Sequence, residues 1–413
     1  MPQRRHMPAA QFVRVVPGAL KFFAALMSCA MAQPAIQTTR YSDLSLPVRQ
    51  VLQTAGVNAG NFDSYIAAVE RSTTERERDG ENDHLIFYVL QSKEFTKEAR
   101  IEPALSAKEY LETGVIPRPV RIRLEQFTAA APNTERLAYF GSLLPRKDPL
   151  EYLRKEYARS MRSLYAKEFE AKPHYYESRG HSTDTQVTAN YALWTALSVL
   201  KASQPGLKLQ RVMIVGPGLD VAPRTGLVDR YPPQSYQPYA LAQTLRDLDF
   251  SVTPRIECVD INDRVIRFIR DFPHRPELRL EFHVPPGDPE YQNWARRLMP
   301  KLAFVSRSVA EAVSAQKLNI ITQRLDSKYD LVVATNVLVY FDNTELILAI
   351  ANIESMLRDG GYFIHNELRP VLDQDAAAVG LAPVQARTVR IGEGTKAPLY
   401  DAFAIYQKRS VRK

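Results

Sequence analysis

The stretch that decides the fold is residues 211–220, RVMIVGPGLD. After the leading arginine it is apolar and rich in β-branched side chains, which is typical of a strand buried on both faces of a parallel sheet. It ends in Gly216-Pro217-Gly218, where the backbone must turn sharply and no side chain crowds the space above it. A second run, residues 255–260 (RIECVD), ends in the carboxylate of Asp260. Because ligands of open α/β sheets bind outside the carboxyl ends of the strands, the two runs predict a nucleoside-binding site.

Composition excludes several function classes. The chain has 413 residues, enough for two or three domains, and its apolar (45%) and charged (24%) fractions are ordinary for a globular protein. Of the formal charge of +8, four basic residues lie in the first 32, which leaves 50 basic against 46 acidic residues. This balance favours no nucleic-acid groove. The two cysteines, Cys29 and Cys258, form neither a disulfide framework nor a zinc site, and no other side chains have metal-ligand spacing.

Residues 1–32 resemble a secretory signal or a membrane-targeting segment. A basic head is followed by an apolar stretch from residue 15 to 31 and by the small-x-small sequence Ala30-Met31-Ala32. An uncleaved anchor and a start codon assigned too early, with Met7, Met27 and Met31 available, are the alternatives. Localisation stays open between export and the cytoplasm.

The chain divides into two regions after this segment. Residues 41–172 read as mainly helical, with the charged run 71–83 as a solvated helix end and loop. Strands and helices alternate over residues 185–407, which predicts βαβ units. The predicted strands are 211–215, 255–260, 318–323, 329–335 and 361–367, and the predicted helices are 238–249, 262–271, 305–316 and 343–358. Residues 386–391 and 402–407 predict a closing hairpin at the sheet edge.

A polar and aromatic run, residues 174–184, separates the two regions. It carries His174, His181 and Asp184 among many hydrogen-bonding side chains. Two interpretations stay open: a lid that folds over the nucleoside pocket, and a linker between domains.

At this point the chain resembles the class I S-adenosylmethionine (SAM)-dependent methyltransferases. The features that match, in order, are the glycine loop 215–218, the acidic strand end at Asp260, the strand 329–336 (YDLVVATN) and the helix–turn–strand 357–364 with its glycine pair. Residues 336–342 (NVLVYFD) are also similar to chemotaxis-receptor carboxyl methyltransferases. The resemblance implies an α/β fold: a Rossmann-like, mostly parallel seven-stranded sheet with an antiparallel C-terminal hairpin.

The resemblance also implies roles for individual residues. Gly216 and Gly218 would let SAM approach the backbone, Asp260 would accept hydrogen bonds from the ribose, and Asn336 and Val337 would lie beside the cofactor. The chain departs from the family in two places. Its glycine loop lacks the usual acidic residue and third small residue, and Asp260 follows Gly216 by 44 residues. The extra length lies at 224–238, rich in Pro and Tyr, and is either a pocket wall or a surface loop.

Methyl transfer requires few catalytic side chains, because correct placement of the acceptor accounts for much of the rate enhancement. Tyr340 would lie close to the methyl group. An acceptor that carries a proton needs a base within hydrogen-bond reach, for which the candidates are His365, Glu367, His181 and Asp184.

The sequence therefore predicts a SAM-dependent methyltransferase whose acceptor, a small molecule or a protein, is unknown. The similarity of residues 336–342 alone favours an oxygen or carboxyl acceptor. One alternative is a catalytically inactive cofactor-binding module. A second is an NAD(P)-dependent oxidoreductase, which the antiparallel hairpin disfavours.

Overall fold

The computed structural model of this protein describes residues 33–165, 175–185, 187–221, 229, 232–281, 286–393 and 398–409. Its strands, in chain order, are β1 (Ile36–Thr38), β2 (Arg211–Val215), β3 (Arg255–Asp260), β4 (Val313–Lys317), β5 (Gln323–Leu325), β6 (Tyr329–Ala334), β7 (Leu357–His365), β8 (Leu381–Glu393) and β9 (Pro398–Lys408). Seven of them form one sheet in the order β4-β3-β2-β6-β7-β9-β8. The pairs from β4 to β7 are parallel, and β9 runs antiparallel to β7 and β8. The predicted fold class and edge hairpin are confirmed.

Side-chain alternation explains why the central strands are apolar throughout. In β2, Val212 and Ile214 belong to one buried cluster, whereas Met213 and Val215 belong to another on the opposite face. Strand β6 is buried along its whole length and alternates in the same way. A strand covered on both faces has no polar face, as expected of a parallel sheet between helical layers.

The helices of the described residues cover both faces of this sheet. They are α1 (Leu46–Thr54), α2 (Phe62–Gln91), α3 (Pro103–Thr113), α4 (Arg118–Thr128), α5 (Glu135–Gly141), α6 (Pro149–Tyr165), α7 (Val187–Ser203), α8 (Gln237–Asp247), α9 (Asp263–Asp271), α10 (Pro289–Leu302), α11 (Arg307–Ala310), α12 (Asn343–Met356) and α13 (Val371–Ala378). The first six make the N-terminal region helical, as predicted. Residues Ile36–Lys413 form one compact unit, and the domain boundaries at 41–172 and 185–407 stay a prediction.

Two predicted elements are wrong. The helix expected at 305–316 is only the four-residue α11, and the chain then enters β4, which pairs in parallel with β3. Val313 and Ala315 alternate into the core from this strand, so pairing with β3 overrides the helical spacing. The strand expected at 318–323 is a loop that begins where β4 ends. Its last residue instead starts β5, which pairs with β1.

The charged run at 71–83 is also not a solvated helix end and loop, which corrects that prediction. It lies in the middle of α2, a 30-residue helix. Its charges have partners on other elements: Arg76 contacts Glu345, and Asp83 contacts Arg159. Long charged side chains with distant partners allow a polar sequence to lie inside a protein.

Some predictions fall on residues that the structure does not describe. The signal or anchor at residues 1–32 lies wholly outside the described residues, and so do residues 224–228, 230 and 231 of the 224–238 insertion. Within the described ranges, none of the helices is both long enough and apolar enough to cross a bilayer.

Candidate functional site

A cleft of about 810 Å3, including its mouth, opens at the carboxyl edge of the sheet. The ends of β2, β3, β4 and β6 line it, together with residues 181–185 and the middle of α2. This is the edge at which open α/β sheets bind ligands.

The glycine turn after β2 forms the floor of the cleft. Gly216 has a φ of +63° and Gly218 a φ of +70°, a left-handed region that side chains disfavour. A Cβ at Gly216 would lie 2.5 Å from Val337 Cγ2, and one at Gly218 would lie 2.8 Å from the carbonyl oxygen of Thr183. Only glycine fits at either position, so the backbone stays bare where it faces the cleft.

Asp260 ends β3 beside this turn. The Gly218 backbone N–H donates to its Oδ2 at 3.4 Å and the Asn262 N–H to its Oδ1 at 2.9 Å. Asp260 as a whole is 8% exposed, and burial raises its pKa to about 6, although these two N–H groups oppose the shift. At neutral pH it is therefore a buried carboxylate that can accept hydrogen bonds from hydroxyl groups.

Asn336 and Val337 follow β6 on the other side of the turn. Asn336 has a φ of +58°, and Asn366 holds it there. The Asn336 N–H donates to Asn366 Oδ1, and Asn366 Nδ2 donates back to Asn336 Oδ1, both at 2.8 Å. Both Asn336 and Val337 line the cleft. The structure thus brings together the five residues predicted to bind the cofactor, and their individual roles stay predictions.

Tyr340 lies at the end of the cleft that Asn336 and Val337 line. Its ring centroid is 5.5 Å from that of His181 and 6.1 Å from that of Tyr176. His181 is 7% exposed, its Nε2 has no hydrogen-bond partner among the described residues, and burial, with the charge of Arg76, lowers its pKa to about 3. The imidazole is therefore neutral at pH 7. His181 and Asp184 both line the cleft.

His365 and Glu367, predicted as catalytic candidates, are not among the residues that line this cleft, and their catalytic role stays a prediction. His365 is 1% exposed, and its ring stacks on Tyr406 with centroids 5.4 Å apart. Burial lowers its pKa to about 4. The Glu367 carboxylate lies 3.8 Å from Arg369 and is not among the residues that line the cleft. The end of β7 pairs with β9 at this point, so it is covered by that neighbouring strand.

Residues 181–185 form a wall of the cleft, which decides against a passive linker. The Leu219 N–H donates to the carbonyl oxygen of Thr183 at 2.7 Å, which joins this segment to the glycine turn. On its other side the segment packs on α2: a Cβ at Gly80 would lie 1.8 Å from the carbonyl oxygen of His181.

Glu81 on α2 joins three parts of the site. The residue is 4% exposed, and its carboxylate accepts hydrogen bonds from Thr183 Oγ1, from Asn262 Nδ2 at 3.0 Å and from Arg264 Nη1. Asn262 in turn caps α9, accepting from the Arg264 N–H at 2.8 Å. The wall, the loop after β3 and α2 are thereby held in one arrangement.

Sequence reasoning missed α2 as part of the site. Thr73 and Glu77 line the cleft. A signal was present: Phe62, Ile66 and Val69 are buried on the same face as Thr73, and that three-to-four-residue spacing leads directly to Glu77. Residues 318–320 of the loop after β4 were missed as well.

The described part of the 224–238 insertion supports a pocket wall over a surface loop. Residues 234–237 are buried. Gln237 lines the cleft and its Nε2 donates to Thr335 Oγ1 at 2.7 Å. The end of the insertion therefore belongs to the site.

Residues 234–370 match the family model of the CheR methyltransferase SAM-binding domain. This is about a third of the chain and includes Asp260, Asn336, Val337 and Tyr340, whereas the glycine turn precedes it. No curated protein matches the chain.

Solved structures give distant similarities. The N-methyltransferase NodS from Bradyrhizobium japonicum WM9, crystallised with S-adenosyl-L-homocysteine, is 15% identical over 53% of this chain and 86% of that chain, with a TM-score of 0.29. Magnesium protoporphyrin IX methyltransferase (ChlM) from Synechocystis PCC 6803, with bound SAM, is 13% identical over 60% of this chain and 99% of that chain, with a TM-score of 0.31. At these scores the similarities carry no part of the assignment.

The residues of the cleft fit SAM. The buried Asp260 carboxylate offers acceptors for ribose hydroxyls, and the bare glycine turn admits a close ligand. Among the described residues, no group of His, Cys, Asp and Glu side chains has the arrangement to hold a metal ion. Because the matched family model is a SAM-binding domain, it argues against the alternative of an NAD(P)-dependent oxidoreductase. Sheet order, cleft and family match agree: the C-terminal part of this chain has the architecture of a SAM-dependent methyltransferase with SAM as its cofactor, and residues 234–370 are similar to the SAM-binding domain of the CheR methyltransferases.

Proposed function

We propose that this protein transfers the methyl group of SAM to a carboxyl oxygen of its acceptor. When bound, SAM supplies a methyl group on a positively charged sulfur, which is a good leaving group. The protein's task is then to hold the acceptor in line with that methyl group. The similarity of residues 336–342 to carboxyl methyltransferases, inside the segment that matches the CheR domain, supports this acceptor class.

The observation that carries the proposal is the side-chain chemistry around Tyr340. The imidazole of His181 lies with its ring centroid 5.5 Å from that of Tyr340, and its pKa, lowered by burial to about 3, makes it a weak proton acceptor. An efficient general base has a pKa near the working pH. An ionised carboxylate has no proton to lose and needs no base. Its oxygen bonds to the methyl carbon as the carbon–sulfur bond breaks, giving a methyl ester and S-adenosylhomocysteine.

The test is methyl transfer from SAM labelled with tritium in its methyl group. The acceptor panel has carboxylates (benzoate and a glutamate-rich peptide), a phenol (a tyrosine peptide) and an amine (a lysine peptide). We expect label in the carboxylate arms that alkali releases as volatile methanol, because esters hydrolyse in base. Alkali-stable label confined to the phenol or amine arms would contradict a carboxyl acceptor.

The same assay addresses the inactive cofactor-binding module. SAM binding measured by calorimetry, with no label transferred to any acceptor and none released, would favour that module. Asp260→Asn serves as the control without cofactor binding, so any label that it transfers marks background methylation.

A further inference from the structure

Helix α2 crosses the cofactor cleft from one side of the sheet to the other. Near its start, Phe62, Ile66 and Val69 pack into the cluster on one face of the sheet. Its last turns, residues 85–90, pack into the cluster on the other face. The middle of the helix therefore passes the carboxyl edge of the strands, where Thr73 and Glu77 line the cleft one turn apart. Both residues lie outside the segment that matches the CheR domain.

Thr73 fixes this part of the helix to the loop after β4. Asn319 Nδ2 donates to Thr73 Oγ1 at 3.1 Å, and the threonine is 6% exposed. Asn319 also lines the cleft. The bond sets the register of α2 against the ends of β3 and β4, so the position of Glu77 is determined by the fold.

Glu77 faces the cleft without a protein partner. It is partly buried and makes no hydrogen bond or ion pair with a described residue. The charged groups near it are Lys317 at the end of β4, Glu81 on α2, Asp260 at the end of β3 and Asp263 on α9. Lys317 is already paired with Asp263 at 2.8 Å.

We propose that Glu77 binds the adenosine half of SAM, which makes α2 of the helical region part of the cofactor site. The inference rests on the SAM assignment. Glu77 neighbours the ends of β3 and β4, the side on which the acidic strand end takes the ribose, and Tyr340 marks the opposite, acceptor end. The ribose hydroxyls and the adenine amine are the hydrogen-bond donors of adenosine, and a carboxylate accepts from either.

This role links cofactor affinity to pH. Burial, with the carboxylates of Glu81, Asp260 and Asp263, raises the pKa of Glu77 to about 7, against the opposing charge of Lys317. A ligand that donates to the ionised carboxyl binds more tightly as pH rises through that value. Ionisation of Asp260, with a pKa of about 6, adds a separate rise in cofactor affinity at lower pH.

The experiment measures adenosine, S-adenosylhomocysteine and SAM binding to the full chain by calorimetry between pH 5.5 and 8.5. Adenosine probes this half of the site alone. For the wild type we expect the affinity for all three ligands to rise about tenfold between pH 6 and pH 8. For Glu77→Gln we expect about tenfold weaker binding at pH 8 and no rise in affinity above pH 6.5. The rise in affinity at lower pH that comes from Asp260 should remain. Glu75→Gln, an exposed position on the same helix, should match the wild type, and circular dichroism checks folding.

The outcomes separate this inference from the cofactor assignment. If the wild type binds none of the three ligands at any pH, the assignment falls and the inference with it. A wild type that binds adenosine with no change between pH 6.5 and 8 would overturn the inference alone, whatever the variant does. So would Glu77→Gln with the wild-type profile, or a variant that weakens S-adenosylhomocysteine but leaves adenosine unchanged.

Discussion

Asp260 carries a negative charge at neutral pH although its burial in the folded protein disfavours the charged form. Its pKa, about 6, lies above the ordinary 3.8 because the group is buried. Between about pH 4 and 6 the folded state therefore binds more protons than the unfolded state. The free energy of unfolding falls as pH rises through this window, and above it the full destabilisation by this group persists without further change with pH.

We expect Asp260→Asn to stabilise the ligand-free protein while it abolishes cofactor binding. At pH 7.5 the gain should be about 1–3 kcal/mol, because the amide carries no charge to bury, and it should vanish near pH 4. Urea unfolding at both pH values measures the gain, and calorimetry measures SAM binding. A variant that is less stable than the wild type at pH 7.5, or that still binds SAM normally, would refute the role of this carboxylate.

The glycine turn gives a second prediction for single residues. Gly216→Ala should destabilise the protein by about 2–4 kcal/mol, because the new Cβ meets Val337 Cγ2 and the left-handed φ is strained. Adding Val337→Ala removes the clash but not the strain, so the double variant should recover about half of that loss. Thermal unfolding of the three proteins checks this, and a full recovery would mean that strain at φ +63° is unimportant.

Residues whose position follows from one strand end could be predicted from the sequence. Gly216, Gly218 and Asp260 lie where the resemblance places them, because apolar runs of β2 and β3 fix where each strand stops. His365 shows the limit. It also ends a strand, but the following hairpin pairs with that strand and covers it, which no local pattern at residue 365 reveals.

At the scale of elements, α2 is the part that local reasoning missed. Its middle carries so many charges that the pattern indicates solvent, and their partners are far apart in sequence: Glu345 for Arg76 and Arg264 for Glu81. Nothing within the helix predicts those pairs. The weak apolar stripe before Thr73 indicates which face of the helix is buried, but the position of the sheet is needed to interpret it.

Arg76 on α2 fixes the wall of the cleft near Tyr340. Its guanidinium donates to the carbonyl oxygens of Tyr340 and Arg179 and lies 3.5 Å from Glu345. We expect Arg76→Ala to cost about 2–4 kcal/mol, because it leaves the Glu345 carboxylate without its cation. Arg78→Ala is the control: this side chain is 66% exposed, and its loss should change stability by less than about 0.5 kcal/mol. Equal effects of the two variants in urea unfolding would contradict this role.

The close packing of α2 on residue 181 predicts a similar contrast between two glycines. Gly80→Ala should destabilise by about 3 kcal/mol, because its Cβ would meet the His181 carbonyl oxygen at 1.8 Å and main chain cannot easily move. Gly141→Ala, at the end of α5 with nothing within 4 Å, should be neutral or gain up to about 1 kcal/mol. Denaturant midpoints measure both, and a neutral Gly80→Ala would show that the wall is not held against α2.

At the scale of the molecule, the helical region and the sheet share one core. A single buried cluster contains Leu85 and Tyr88 of α2, Phe140 of α5, and Ile214 of β2. Polar contacts join the same parts: Arg136, 2% exposed, donates to the carbonyl oxygen of Val221 at 2.8 Å. The polar run at residues 174–184 separates the two regions in the sequence, but packing joins them in the folded protein.

We therefore expect a truncated chain that begins at residue 187 not to fold cooperatively. It would expose the apolar surface that α2 and α5 cover, leave Glu345 and Arg264 without their partners on α2, and lose the β1 pairing with β5. It should also not bind SAM, because Thr73, Glu77 and residues 181–185 would be missing from the cleft. Calorimetric unfolding and SAM titration measure both. A chain that begins at residue 33 is the matched control and should keep both properties, since the cleft-lining residues all lie between 73 and 341. Cooperative unfolding of the chain from 187, with SAM bound at wild-type affinity, would show that the helical region is an appendage and that the Rossmann-like part builds the site alone.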